Sequence, residues 1–276
     1  MRSELCIATL EGKVEVLLTH EGLIEAPNWH PDGYLIVNGG GRIYRVPLER
    51  PDLIEIETGF ATGCNNDHGL SPDGQWLAIS DKVETGKSCI YTLPVEGGTP
   101  RRITEKVPSY WHGWSPDGAT LTYVGFRGVD DIRLFTIPAA GGAEREILAG
   151  FDHLDGPDYS PDGAWIWFNG EREGSVDLWR IRPDGSDLER MTDGPEVDWF
   201  PHPSPDGKWV LWLAYPEGTE GHPPDRQVKL RLITAEGGPA RTLCTLRGGQ
   251  GTLNVPSWAP DSQRFAFIAY PDGWDT

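Results

Sequence analysis

One short phrase recurs six times along this chain of 276 residues. It reads His30-Pro31-Asp32-Gly33, then Ser-Pro-Asp-Gly at 71–74, 115–118, 160–163 and 204–207, and last Ala259-Pro260-Asp261-Ser262. The intervals are 41, 44, 45, 44 and 55 residues. Self-similarity at roughly 40–50 residues marks a repeat architecture, in which one small unit buries its apolar face only against the next. Within a unit the turn is followed by an apolar run (Trp76-Leu77-Ala78-Ile79), a second strand (Cys89-Ile90-Tyr91-Thr92-Leu93) and, past a Gly-Gly turn, a last strand (Arg101-Arg102-Ile103-Thr104). Four short strands per unit with no helical stretch predict an all-β fold, a six-bladed β-propeller with four antiparallel strands per blade. Pro presets φ, Asp bonds its own backbone and Gly accepts positive φ, so the repeated phrase is scaffold and its acids are not catalytic candidates.

The sixth repeat is short. After Asp261 it has room for one strand, residues 265–270, while residues 4–9 and 15–19 precede the first turn. The N-terminal strands are therefore expected to complete the C-terminal blade, which removes an open sheet edge. The chain divides as one domain, 1–276. Residues 1–20 form outer strands of the last blade, 21–60, 61–106, 107–150, 151–194 and 195–247 form five blades, and 248–276 form the inner strands of the last.

The spelling resembles the TolB-type propeller repeat, in which Trp-Ser-Pro-Asp-Gly opens each blade. Trp29, Trp114 and Trp258 hold the Trp position, with Leu70, Tyr159 and Pro203 as variants. The chain looks most similar to stand-alone bacterial TolB-like proteins, through Cys64-Asn65-Asn66-Asp67-His68-Gly69, Ser109-Tyr110-Trp111-His112-Gly113, Asp155-Gly156-Pro157-Asp158-Tyr159, Asp198-Trp199-Phe200-Pro201-His202 and Gly248-Gly249-Gln250-Gly251-Thr252. The resemblance implies the fold. TolB itself carries an extra N-terminal domain and a signal peptide, neither of which is expected in this chain, so its transport role is not carried over.

Composition narrows the partners. A formal net charge of −18 argues against a nucleic-acid backbone as partner. No run of apolar residues is long enough for a membrane span, and residues 1–20 carry Glu4, Glu11 and Glu15 rather than a secretory pattern. Cys6, Cys64, Cys89 and Cys244 lack metal-type spacing and read as free thiols, so a cytoplasmic protein is expected. Gly39-Gly40-Gly41 and Gly248-Gly249 precede no helix, so no nucleotide cofactor is expected.

The innermost strand of each blade lines a central channel, so residues ahead of the turns gather at one mouth. They are Glu25 and Asn28; Asn66, Asp67 and His68; Tyr110, Trp111 and His112; Asp155 and Asp158; Asp198, Trp199 and His202; Gln250 and Asn254. Convergent polar groups in a concavity define the default ligand site. His68, His112 and His202 are the expected ligands of a divalent metal such as Mn, Zn or Ca, or else hydrogen-bonded links between blades. With Asp67 and Asp158 they form the candidate catalytic set. Ligand contacts are expected from Glu25, Asn66, Tyr110, Trp111, Asp155, Asp198, Trp199, Gln250 and Asn254, with Lys82, Arg127 and Arg172 from nearby loops drawing in an anionic group. The loop at 216–226 is either a lid or plain solvated backbone, and His20, His30 and His153 are expected at the surface. A weaker similarity to oligogalacturonate lyases, propellers that hold a divalent metal with His and Gln, fits His68, His112, His202 and Gln250 by inventory but not by spacing.

The function this predicts is binding of a small polar ligand, a carbohydrate or sugar acid, at the channel mouth, with metal-assisted lyase or hydrolase chemistry. The competing reading is a non-catalytic propeller that docks a protein partner.

Overall fold

The computed structural model of the chain describes residues 1–273; the last three residues of the predicted 248–276 segment lie outside the described residues. Six antiparallel sheets follow one another around a ring. The second blade is typical, with Cys64–Leu70 innermost, then Trp76–Asp81, Cys89–Pro94 and Arg101–Arg102.

Ring closure follows the sequence reading. Arg2–Thr9 pairs with Arg264–Ala269 on one side and with Val14–Glu21 on the other. The innermost element of this blade is irregular. It holds the sheet through Ser257 O accepting from Ala266 N at 3.0 Å, Thr252 O accepting from Ile268 N at 3.1 Å and one bridge between Trp258 and Phe265.

The middle strands are sandwiched between neighbouring blades, so both faces are apolar. In Trp76–Asp81, Leu77 and Ile79 pack with Tyr34, Ile36 and Ile43 of the first blade, while Ala78 joins Leu121 and Tyr123 of the third. At closure, Leu5 and Ile268 pack on Leu35 and Val37, while Cys6 and Phe267 face Leu211 and Leu213. Burial on both faces explains continuous apolar runs where a half-exposed strand would alternate.

The repeated turn is built from its own side chains. Ser71 Oγ donates to Asp73 Oδ1 at 2.5 Å and accepts from Trp76 N at 2.9 Å, and Gln75 N donates to the same carboxylate at 3.0 Å. The same set recurs at Ser115–Asp117, Ser160–Asp162 and Ser204–Asp206. His30, which takes the Ser slot in the first turn, is not a surface residue. It is 3% exposed, its Nε2 lies 3.0 Å from Gly74 O of the next blade, and its ring stacks on Tyr34.

Candidate functional site at the channel mouth

A β-bulge interrupts the innermost strand of the first five blades at one equivalent place. The breaks fall between Glu25 and Asn28, Cys64 and His68, Trp111 and Gly113, Asp155 and Asp158, and Trp199 and His202. A bulge bends the strand and re-aims its side chains, here around the channel. Ala26, Gly156 and Phe200 take positive φ at these points. Gly156 is needed on two counts, since a Cβ there would stand 3.0 Å from Asn169 Oδ1 and 3.1 Å from Phe200 Cα.

The mouth is a cavity of about 430 Å³. One side is a linked amide and carboxylate network. Glu25 accepts from Asn66 Nδ2 at 3.0 Å and Asn38 Nδ2 at 3.1 Å, and Gln250 Nε2 donates to Asn66 Oδ1 at 3.2 Å. Asn65 Nδ2 donates to Asp67 Oδ2 at 2.6 Å. The other side is built on the fourth blade. His153 and Asp155 stand two apart on His153–Tyr159, hence on one face of that strand. His222 reaches in from the long loop of the fifth blade, with its Nε2 3.7 Å from Asp155 Oδ2 and its ring 4.3 Å from that of Trp199. The loop is tied down by Pro223 O, which accepts from Tyr215 Oη and Gln250 N, both at 3.2 Å, and by Arg247 on Asp225. It is a fixed wall that contributes a side chain. Among the described residues, His153, Asp155 and His222 are the one group of three metal-capable side chains whose ligand atoms all lie within 4.8 Å of one another.

Burial sets the protonation pattern. It pushes the Asp67 carboxyl up to about 7, helped by Asp155 and Glu25 and opposed by His112, and it raises Glu25. Burial would raise Asp155 too, but the His112 imidazole 2.7 Å away, together with His222 and His153, outweighs it and holds the carboxyl well below the usual range. Burial would lower His112, but Asp155, aided by Asp67 and a backbone contact to Asn254, outweighs it and raises the pKa. Burial lowers that of His222, with Asp155 opposing.

The predicted trio of metal ligands does not assemble. His202 is engaged on both ring nitrogens, with Asp158 Oδ2 at 3.1 Å and Leu253 O at 3.0 Å. His68 Nδ1 lies 3.0 Å from Asn28 Oδ1, and burial alone lowers its pKa to about 3. These are links between blades. His153, expected at the surface, instead faces the mouth, as does His222 from the loop at 216–226. The signal in the sequence was the two-residue spacing of His153 and Asp155, ahead of a fourth-blade turn that carries no histidine where other blades do.

Glu25, Asn66, Asp67, Tyr110, Asp155, Gln250 and Asn254 line the mouth as expected. Asp158 and Trp111 line the opposite end of the channel. Asp198 accepts from Trp212 Nε1 at 2.8 Å, away from the mouth, with its carboxyl pushed up to about 7 by burial. Trp199 is 1% exposed and backs the two mouth histidines. The three expected cations are elsewhere. Arg127 is spent on Glu144 and Phe135, Arg172 lies over Phe151, and Lys82 lines a separate groove beside Gly63 and Lys87. The mouth therefore presents Glu25, Asp67 and Asp155 with no Lys or Arg among its lining residues. Its field favours a cation.

A six-bladed ring with one polar mouth is the class of protein these features define. No protein-family model matches the sequence. An uncharacterized protein of Agrobacterium fabrum is 50% identical over 273 residues, 98% of this chain and 93% of that one. A solved structure from Agrobacterium tumefaciens, provisionally named TolB, superposes with a TM-score of 0.96 at 48% identity and covers 100% of this chain and 99% of that one. The chain belongs to this TolB-like β-propeller family. TolB from Acinetobacter baumannii shares the fold at a TM-score of 0.63 and 15% identity, over 98% of this chain and 64% of that one. An oligogalacturonate lyase in complex with manganese does so at 0.58 and 16%, over 88% and 67%.

Proposed function

We propose that the mouth binds a divalent cation through His153, Asp155 and His222 and holds a small hydroxyl-rich ligand, a sugar or sugar acid, beside it. One observation carries the reading, the approach of three ligand atoms to within 4.8 Å of one another. Donors sharing an ion at about 2.0–2.2 Å stand about 3–4 Å apart. The 3.7 Å between Asp155 Oδ2 and His222 Nε2 falls in that range and is too long for a hydrogen bond. His153 Nε2 is buried without a hydrogen-bond partner. Two imidazoles with one carboxylate suit manganese or zinc better than calcium.

The cation supplies positive charge that the lining residues do not, so a sugar acid can enter an acidic mouth. Glu25, Asn66 and Gln250 offer donors and acceptors to hydroxyl groups. Asp67, with its carboxyl pushed up to about 7, exchanges a proton near neutral pH and gives the site lyase or hydrolase chemistry. Four free cysteines suit a reducing compartment, and the proposed setting is the cytoplasm.

The test is a screen of monosaccharides, disaccharides and uronic acids against chelator-treated protein with and without added manganese. Hits that require manganese and disappear in Asn66→Ala are expected. Sugar binding indifferent to the chelator, or a silent screen alongside a stoichiometric protein partner in pull-downs, overturns the proposal.

A further inference from the structure

The two oxygens of Asp155 have different surroundings. Oδ1 lies 2.7 Å from His112 Nε2 of the preceding blade and accepts from Gly156 N at 2.9 Å. Oδ2 is left on the side of His222, 3.7 Å from its Nε2. The last torsion of an Asp side chain is soft and two-fold, so an unanchored carboxylate swings and exchanges its oxygens. Contacts on Oδ1 from two sides stop that swing and settle where Oδ2 stands.

His112 is suited to the task. It is 2% exposed and is not among the residues that line the cavity, so it stands behind the wall rather than in it. Its ring lies nearly parallel to that of Phe200, with centroids 6.4 Å apart and planes at 23°. The same Phe200 ring meets His222 edge-on at 5.5 Å. Phe200 is itself held in the bulge of the fifth blade, where its N donates to Asn169 Oδ1 at 3.0 Å. One fixed aromatic ring therefore spaces the imidazole that anchors Asp155 from the imidazole that faces it.

We propose that His112 is a positioning residue for the cation site, holding Asp155 by Oδ1 so that Oδ2 is presented to the ion shared with His153 and His222. The inference rests on the cation reading of the mouth given above. The role needs no change of protonation. Carboxylates that ligate a metal are commonly hydrogen-bonded in turn, and losing such a partner costs about 10–100-fold in metal affinity. Without its anchor the carboxylate can turn and offer the ion both oxygens.

Manganese titration at one fixed pH, read by loss of the free-ion electron paramagnetic resonance signal, tests this. A pair of amides avoids the large stability loss expected of His112→Ala. Gln carries an N–H to about the reach of Nε2, while Asn falls short of it. His112→Asn is expected to bind manganese about 10–100-fold more weakly than the unmodified protein, and His112→Gln to recover most of that loss. Leu5→Ala, a core change in another blade, should lower the melting temperature and leave manganese affinity unchanged. Cobalt in place of manganese reads the ligand set, because its visible bands weaken as coordination number rises. Those bands should weaken in His112→Asn and match the unmodified protein in His112→Gln. No manganese binding to the unmodified protein overturns both this inference and the cation reading. Where the unmodified protein does bind, unchanged affinity in His112→Asn, equal losses in the two amide variants or in Leu5→Ala, or an altered cobalt spectrum in His112→Gln overturns this inference alone.

Discussion

His112 Nε2 and Asp155 Oδ1 lie 2.7 Å apart across the boundary between the third and fourth blades. His112 is 2% and Asp155 14% exposed, so removing one partner strands the other in a largely water-poor site. His112→Ala is expected to cost about 3–5 kcal/mol of unfolding free energy, the usual penalty for an uncompensated buried charge. The pH dependence has a definite sign. The lowered pKa of Asp155 stabilises in full above its unfolded value of about 4, and that contribution fades as pH falls through the folded value. The raised pKa of His112 stabilises in full below about 6.5, and that contribution fades as pH rises through the folded value. Urea denaturation should therefore show a larger gap between wild type and His112→Ala near pH 5.5 than near pH 9. A gap independent of pH would mean that packing, not charge, makes the contact.

Asp67 works in the opposite direction. Its folded pKa is raised to about 7, so the native state keeps a proton that the unfolded chain releases. Stability then falls as pH rises from about 4 toward 7. Asp67→Asn should remove that loss and gain roughly 1–4 kcal/mol relative to wild type at pH 8, with little gain at pH 4. The same variant should lose any proton-transfer activity at the mouth. A variant less stable than wild type at both pH values would contradict the burial argument.

Packing between blades admits no extra atom at Gly69. A Cβ there would stand 2.0 Å from the Trp111 ring of the next blade. Gly69→Ala is expected to cost about 1–3 kcal/mol through overpacking, read as a lower urea midpoint. An unchanged midpoint would show that the second and third blades can part freely.

Closure by the N-terminus makes Leu5 a core residue despite its place near the chain start. It is 0% exposed and packs with Ile268 and Val37. Leu5→Ala should cost about 2–5 kcal/mol. Removing residues 1–20 should leave Arg264–Ala269 with an open edge and greatly reduce solubility or the melting temperature. An unchanged melting curve for the truncated chain would refute the closure.

Blade number and closure were legible because Pro-Asp-Gly is a local signal, repeated wherever the chain makes the same turn. Half of the site was legible for a related reason. Glu25, Asn66, Tyr110 and Asp155 hold equivalent positions ahead of the turn, so the repeat carries them to one ring. His222 was not legible, because it belongs to no repeat position and reaches the ring only through the path of its loop. His68 and His202 misled because a histidine ahead of a turn can point along the channel or into the neighbouring blade. Hydrogen bonds to Asn28, Asp158 and Leu253 O decide for the latter. Arg127 misled likewise, since Glu144, distant in sequence from the mouth strings, captures it.

Metal stoichiometry tests the central claim most directly. Protein purified without a histidine tag and stripped by chelator is dialysed against manganese or zinc and the bound ion counted. One ion per chain is expected for the unmodified protein. His153→Ala and His222→Ala should each lose it, while His202→Ala, although less stable, should keep it. No bound ion at any concentration that leaves the protein folded, or an ion retained by His222→Ala and lost from His202→Ala, would contradict the account.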